Sequence, residues 1–458
     1  MKNPRFAKMA ALMLLGAMFA AGAVHANPFE TTLPNGFHVI VKEDHRAPTA
    51  VQIVWYRAGS IDEKDGSSGL AHALEHLMFK GTKKVKPGEF SKLVAAAGGR
   101  DNAFTSRDYT AYFEQVPARA LPEMMMLEAD RMANLQIPQK EYDPEIKVVM
   151  EERRLRTEDD PTSLVHEALN SMAFQAHPYR RPVIGWMDDL EHMNRADAEQ
   201  WYKTWYAPNN ALLVIAGDVS HEAVFHLAAK YYGSIKPHAL PERKPQNEPE
   251  QKGKRCVVVK APARLPYVAL AWKVPKLKDV DKDREPYALQ VLAAVLDGNE
   301  ASRLAKNLVR GQKIAQSAGA GYDSTVRGET LFVLDGQPAE GHTVAELEAA
   351  LRGEIKRIQD EGVSAEELAR IKTQTIASQV FKRDSVMGQA MEIGMLEAIG
   401  MDWRDIDKMQ DKVRSVTADE VQVVAKKYFG DDTLTVATLD PQPIAENAAP
   451  KKPVIHHH

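Results

Sequence analysis

The sequence predicts an α+β protein made of two homologous domains. Three observations carry that prediction: a length of 458 residues, a charged, proline-rich stretch near the middle, and matching strand and helix segments on both sides of it. A chain this long exceeds what one ordinary hydrophobic core serves, so two or more domains are expected. It is 44% hydrophobic and 27% charged, the balance of a folded globular protein. The formal net charge of −4 is too mild for a surface built to hold nucleic acid, and no such partner is expected.

Residues 1–26 form a leader rather than part of the fold. Lys2, Arg5 and Lys8 precede an apolar run from Met9 to Val24, and Val24-His25-Ala26 offers small residues for cleavage before Asn27. This is the pattern of a secretory signal peptide. The run falls short of the ~20 residues that span a bilayer, and no cysteine follows it to carry a lipid. Removing three cations and no anions takes the charge from −4 to −7. No later segment reads as membrane-spanning, so a soluble periplasmic protein with no stable membrane anchor is expected. Cys256 is the only cysteine, so the chain cannot form an internal disulfide. The closing His456-His457-His458 is assigned no function.

The first domain is expected over residues 27–236. Pro237, Pro241, Pro245 and Pro249 then stand among charged residues, and residues 237–254 read as an extended linker. The second domain is expected over residues 255–440, with a tail over residues 441–458. Strand patterns at residues 36–43 and 50–56 are echoed at 254–261 and 267–274. A helix at 199–206 leading to a strand at 210–218 is echoed at 420–428 and 432–440. Tyr206 then aligns with Tyr428, and Asp218 with Asp440. Agreement at both ends of each half argues for duplication. Between these ends, residues 108–116 and 328–334 alternate like strands. Helical stretches cover 121–135, 161–173, 344–361 and 365–383. Each half is thus a mixed sheet packed with helices.

The chemistry concentrates in His72-Ala-Leu-Glu75-His76. On a helix, His72 and His76 are four residues apart and share a face, so both imidazoles can reach one ion. Zinc accepts imidazole nitrogen, and a catalytic zinc takes three protein ligands plus water. Glu75 stands near enough to that face to take a proton from the water. The order H-x-x-E-H is the inverse of the commoner zinc-peptidase motif. Leu70, Leu74, Leu77, Met78 and Phe79 surround the motif, so the helix is expected to be buried and its polar groups to need partners.

A third ligand is sought on residues 145–155. Glu145 and Glu152 are seven apart and share a helical face with Val148 and Val149, whereas Glu151 lies about 100° away. Glu152 is the better ligand and Glu145 the partner that a ligating histidine usually needs. The alternative is a solvated face paired with Arg153 and Arg154.

These residues closely resemble the insulinase–pitrilysin family of zinc peptidases, in particular its short two-domain bacterial members related to the mitochondrial processing peptidase. The resemblance rests on Gly69 to Thr82, on Glu145 with Glu152, on Asn102 to Tyr112 and on Tyr206 to Asn210. It implies a zinc endopeptidase with one Zn2+ per chain, held by His72, His76 and Glu152, with Glu75 as general base. It also implies that Asn102, Ala103, Phe104 and Thr105 form an edge strand, to which an extended peptide adds as another strand. In the family the second half is non-catalytic, and many members use an arginine and a tyrosine from it to hold substrate. Here Arg310 is present but Gln316 stands where the tyrosine is expected. The departure favours a related partner chain that supplies the missing group, with a homodimer or a monomer using Tyr322 as alternatives. A rival class is a non-catalytic binding or assembly subunit that keeps the fold.

Overall fold

The computed structural model describes residues 27–444. The expected signal peptide and most of the expected tail lie outside these residues. Phe29–Thr32 (β1), His38–Glu43 (β2), Thr49–Tyr56 (β3), Arg100–Thr105 (β4), Thr110–Pro117 (β5) and Ala211–Gly217 (β6) build one sheet, in the order β1-β2-β6-β3-β5-β4. Arg255–Pro262 (β7), Tyr267–Val274 (β8), Ala315–Tyr322 (β9), Thr330–Pro338 (β10) and Leu434–Gln442 (β11) build a second, in the order β7-β11-β8-β10-β9. β2 pairs in parallel with β6 as β7 does with β11, and the remaining pairs in both sheets are antiparallel. Five strands of the first sheet therefore recur in the second with the same order and direction. The protein is α+β with two homologous domains.

Strand chemistry explains why each sheet is covered on both faces. In β3, Ala50, Val54 and Tyr56 enter one core while Val51, Ile53 and Trp55 enter another. β6 divides likewise, with Leu213 and Ile215 on one side and Leu212 and Val214 on the other. Side chains alternate across a strand, so a strand apolar throughout needs cover on both faces. The first face is covered by helices of the first half, including Leu70–Leu77 and Arg195–Trp205. The second is covered by Val386–Ala398, a helix from the other half, through Ala390 and Ile393. The loan is returned: Pro161–Ala173 from the first half packs Val165 and Leu169 against the second sheet. Each half thus lends one helix to the other.

The linker region has no regular secondary structure, but polar contacts pin it where apolar ones are scarce. The Glu248 carboxylate accepts the backbone N–H groups of Gln175, Ala176 and His177 at 2.8–2.9 Å and pairs with Lys273 at 2.8 Å. Burial alone would raise this carboxyl, yet Lys273 and those N–H groups hold it down to about 2. Arg243 donates to Asp62 at 2.6 Å.

Among the expected strands that begin later than their patterns suggest, those starting at 108 and 328 do so for one reason. Asp108 and Gly328 leave their strands to join the halves: Asp108 accepts the Arg327 backbone N–H at 3.0 Å, and the Gly328 N–H donates to the Tyr179 hydroxyl at 3.0 Å.

A buried ionic group lies in the core of the first domain. Arg131 pairs with Glu128 and lies 3.6 Å from Glu114, its guanidinium stacked near Phe79, Phe90 and Tyr112. Burial and the neighbouring Glu128 push the Glu114 carboxyl well above the usual range. Replacing Arg131 with leucine strands the Glu128 charge in the core. The expected cost is about 3–5 kcal/mol, read as a lower denaturant midpoint.

Candidate functional site

The motif helix is Leu70–Leu77. Its start is fixed by Gly69, whose φ is +86°. A Cβ there would stand 2.7 Å from the Ile184 carbonyl oxygen, so only glycine fits both the turn and the approach. The Glu63 carboxylate accepts the Gly69 and Ala71 N–H groups at 3.0 and 2.9 Å. Accepting these groups satisfies donors left free at the helix N-terminus, although burial pushes the Glu63 carboxyl up to about 8 against them.

Glu145 and Glu152 both lie on Gln139–Arg153, the helix packed beside the motif helix. Glu145 is buried and Glu151 exposed, as the helical-face argument requires. Glu152 Oε2 stands 3.2 Å from His76 Nε2 and 3.7 Å from His72 Nε2. The donor atoms of His72, His76 and Glu152 all fall within 4.8 Å of one another. Donors around a tetrahedral zinc lie about 3.4 Å apart, so this set of two imidazoles and one carboxylate fits zinc in both chemistry and spacing. On the far side of the ring, His76 Nδ1 meets Glu145 Oε1 at 3.0 Å. The other Glu145 oxygen pairs with Lys80.

Electrostatics within the cluster are strongly coupled. Burial would lower His76, but the Glu145 and Glu152 carboxylates outweigh it and raise the imidazole to about 9. Burial would raise Glu152, but the hydrogen bond to His76 and the neighbouring cations bring it to about 2. Without metal the cluster therefore carries a proton where zinc would sit. Burial pushes Glu75 above the ordinary glutamate range. Its Oε2 accepts from the Thr105 hydroxyl at 2.5 Å.

That contact ties the motif helix to β4, which is an edge strand paired only with β5 among the described residues. Ala103 packs toward the core beneath the motif helix, and Thr105 reaches Glu75 on the same face. Asn102 and Phe104 take the opposite face, where Phe104 stands edge-on to Trp55 at 5.5 Å. Arg310 does not join this constellation. It lies on the segment Leu304–Gly311 and pairs with Glu300 at 2.9 Å. Gln316 is exposed on β9, the strand of the second sheet equivalent to β4. The Tyr322 hydroxyl donates to the Pro275 carbonyl at 2.6 Å.

Three participants escaped the sequence reading. Glu63 is set by a turn with no periodic signal. The Thr105–Glu75 contact joins residues 30 apart, so nothing local announces it. Lys80 stands past the end of the motif helix at Leu77, so helical spacing does not announce it either.

Residues 38–186 match the family model described as Insulinase (Peptidase family M16), and residues 192–375 match that described as Peptidase M16 inactive domain. The chain is 32% identical to zinc protease PqqE of Helicobacter pylori, covering 94% of this chain and 96% of the relative. A crystal structure of a protease from Helicobacter pylori superposes with a TM-score of 0.86 at 30% identity, covering 90% of this chain and 100% of that one. The probable mitochondrial-processing peptidase subunit beta of Schizosaccharomyces pombe is 33% identical over 209 residues, which is 46% of each chain. With the inverted motif inside the peptidase match and the inactive-domain match over residues 192–375, this chain belongs to the insulinase family of peptidases, M16, among relatives named as zinc proteases.

Proposed function

We propose that this chain is a zinc metalloendopeptidase that hydrolyses peptides or unfolded polypeptide segments. One observation carries the reading: Glu75 touches both worlds, standing one residue from His76 in the donor cluster and hydrogen-bonded to Thr105 of the edge strand. His72, His76 and Glu152 are the residues that would hold zinc. When bound, zinc supplies a Lewis acid that polarises a carbonyl and makes water more acidic. The unpaired edge of β4 offers backbone groups to an extended substrate, whose own backbone completes the ladder. That mode explains a preference for unfolded segments, because a folded chain has no free strand to offer. Glu75 accepts the proton of the attacking water and returns it to the leaving amine. Thr105 holds the Glu75 carboxylate toward the strand on which the substrate lies.

The division of labour between chains follows from the second half. Arg310 is engaged with Glu300 and Gln316 replaces the expected tyrosine, so the substrate-holding pair is incomplete. We infer that this chain is the catalytic member of a pair with a related non-catalytic chain. The Schizosaccharomyces pombe relative, named as a subunit, supports that reading. The basic and apolar leader supports export to the periplasm, and among the described residues no helix is long and apolar enough to cross a membrane.

A quenched peptide library tests the proposal. Cleavage is expected from the purified chain, alone or with its related chain added. Chelator should abolish it and zinc restore it. Cleavage that survives complete metal removal would overturn the reading.

A further inference from the structure

The turn that follows the motif helix is built to hold one conformation. The Lys80 N–H donates to the Leu77 carbonyl at 3.0 Å. Gly81 comes next at φ +96°, where a Cβ would stand 2.6 Å from the Val85 carbonyl oxygen, so the turn needs glycine there. The Thr82 hydroxyl donates to Asp130 at 2.5 Å and accepts the Lys84 and Val85 N–H groups at 3.0 and 3.1 Å. On the other side of Lys80, the Phe79 ring lies 4.9 Å from the Arg131 guanidinium. The turn is also fastened to the segment that leads into the helix of Glu145. Thr82 forms a β-bridge with Leu135, and the Gln136 N–H donates to the Gly81 carbonyl at 3.0 Å. Gln139 starts that helix three residues later.

Lys80 makes one contact from this turn. Glu145 is buried, and a buried carboxylate needs partners for both its oxygens. Oε1 faces His76 Nδ1 at 3.0 Å, and Oε2 pairs with Lys80 Nζ. No other side chain among the described residues pairs with either oxygen. Lys80 is itself only partly exposed, so the pair escapes much of the screening that weakens surface ion pairs. The last torsion of a glutamate is soft and broad. A carboxylate held at one oxygen can swing about it, whereas one held at both keeps its plane.

We propose that Lys80 is a positioning residue for the zinc site: it anchors Glu145, and through Glu145 it holds the His76 ring with Nε2 turned to Glu152. The inference rests on the peptidase reading, which puts zinc at His72, His76 and Glu152. An imidazole whose ring is held in advance has less orientational freedom to lose when it takes a metal. Lys80 therefore supports zinc affinity without touching zinc, substrate or the attacking water.

Zinc affinity of the full chain, measured by chelator competition, tests this. His456, His457 and His458 are replaced by alanine in every protein so that they add no ligands. Lys80→Met keeps the stem and removes the charge. It should weaken zinc by about 10-fold, the lower end of what losing a supporting partner of a metal ligand costs. It should also alter the visible absorption of the Co2+-loaded chain, which reports ligand geometry. Lys80→Arg returns a cation to Glu145 and should recover most of the affinity. In the Glu145→Gln background Lys80→Met should cost little more, because the carboxylate it acts through is gone. Lys80→Gln repeats the series if the methionine variant folds poorly. Unchanged zinc affinity and Co2+ spectrum in Lys80→Met would overturn the inference, even if the zinc-free protein melts lower, since a merely structural turn would do that. A full further loss in the Glu145→Gln background would overturn it too. His76→Ala is the control for the site itself. Zinc that survives His76→Ala would overturn the peptidase reading, whereas zinc that His76→Ala loses and Lys80→Met leaves untouched would overturn the Lys80 role alone.

Discussion

Glu75→Gln is expected to keep zinc and substrate binding and to lose turnover by at least about 10²–10⁴-fold, the range a positioned general base supplies. The amide has nearly the same size and shape as the carboxylate, so the burial of the helix is preserved. Its carbonyl oxygen can still accept from Thr105, as Glu75 Oε2 does at 2.5 Å. None of the three metal donors is touched. What disappears is the lone pair that takes a proton from water, and an amide cannot replace it. The loss should therefore fall on kcat, with KM and bound zinc close to those of the unaltered chain. Retained hydrolysis at near-normal kcat would remove Glu75 from the mechanism.

The burial of Glu75 also has a consequence for pH. Its carboxyl lies above the ordinary range because burial disfavours the charge. A base works only when ionised, so activity is expected to fall as pH drops through that raised value. A pH–rate profile should show its acid limb above the range of a solvated glutamate, and Glu75→Gln should abolish that limb together with the rate.

How much of this was legible in the sequence depends on distance along the chain. His72, Glu75 and His76 are spaced by helical geometry, so five residues announce a shared face. Glu145 and Glu152 are legible for the same reason, since a seven-residue step returns to one side of a helix. The duplication shows because each half repeats the same helix-then-strand ending. Topology is what remains hidden. Nothing in Arg100–Thr105 says that this strand lies at an edge; that follows from the strand order of the whole sheet. The exchanged helices are hidden too. Val386–Ala398 has apolar residues around much of its circumference, and such a pattern says only that the helix is buried, not by which sheet. β1 was missed although Asn35-Gly36 marks the turn after it, with Gly36 at φ +85°. Four residues are too few to show a period.

The other large effect concerns the metal itself. His76→Ala or Glu152→Ala is expected to abolish stable zinc binding at the motif helix and peptide cleavage with it. Each removes one of only three protein donors. His76→Ala also leaves Glu152 and Glu145 facing each other without the imidazole between them. In the unaltered chain the two carboxylates raise His76 to about 9, so at neutral pH zinc must displace a proton before it can bind that nitrogen. The sign follows directly: below pH 9 the imidazole is increasingly protonated, and zinc affinity should fall by about tenfold per pH unit. Chelator competition between pH 6 and pH 8 measures this slope, and calorimetry in buffers of different ionisation heat counts the released proton. Replacing Glu145 with glutamine removes one of the charges that raise His76, so its zinc affinity should depend less steeply on pH. A steep dependence that survives Glu145→Gln unchanged would mean that Glu152 alone sets the His76 proton affinity, and that Glu145 serves chiefly to orient the ring.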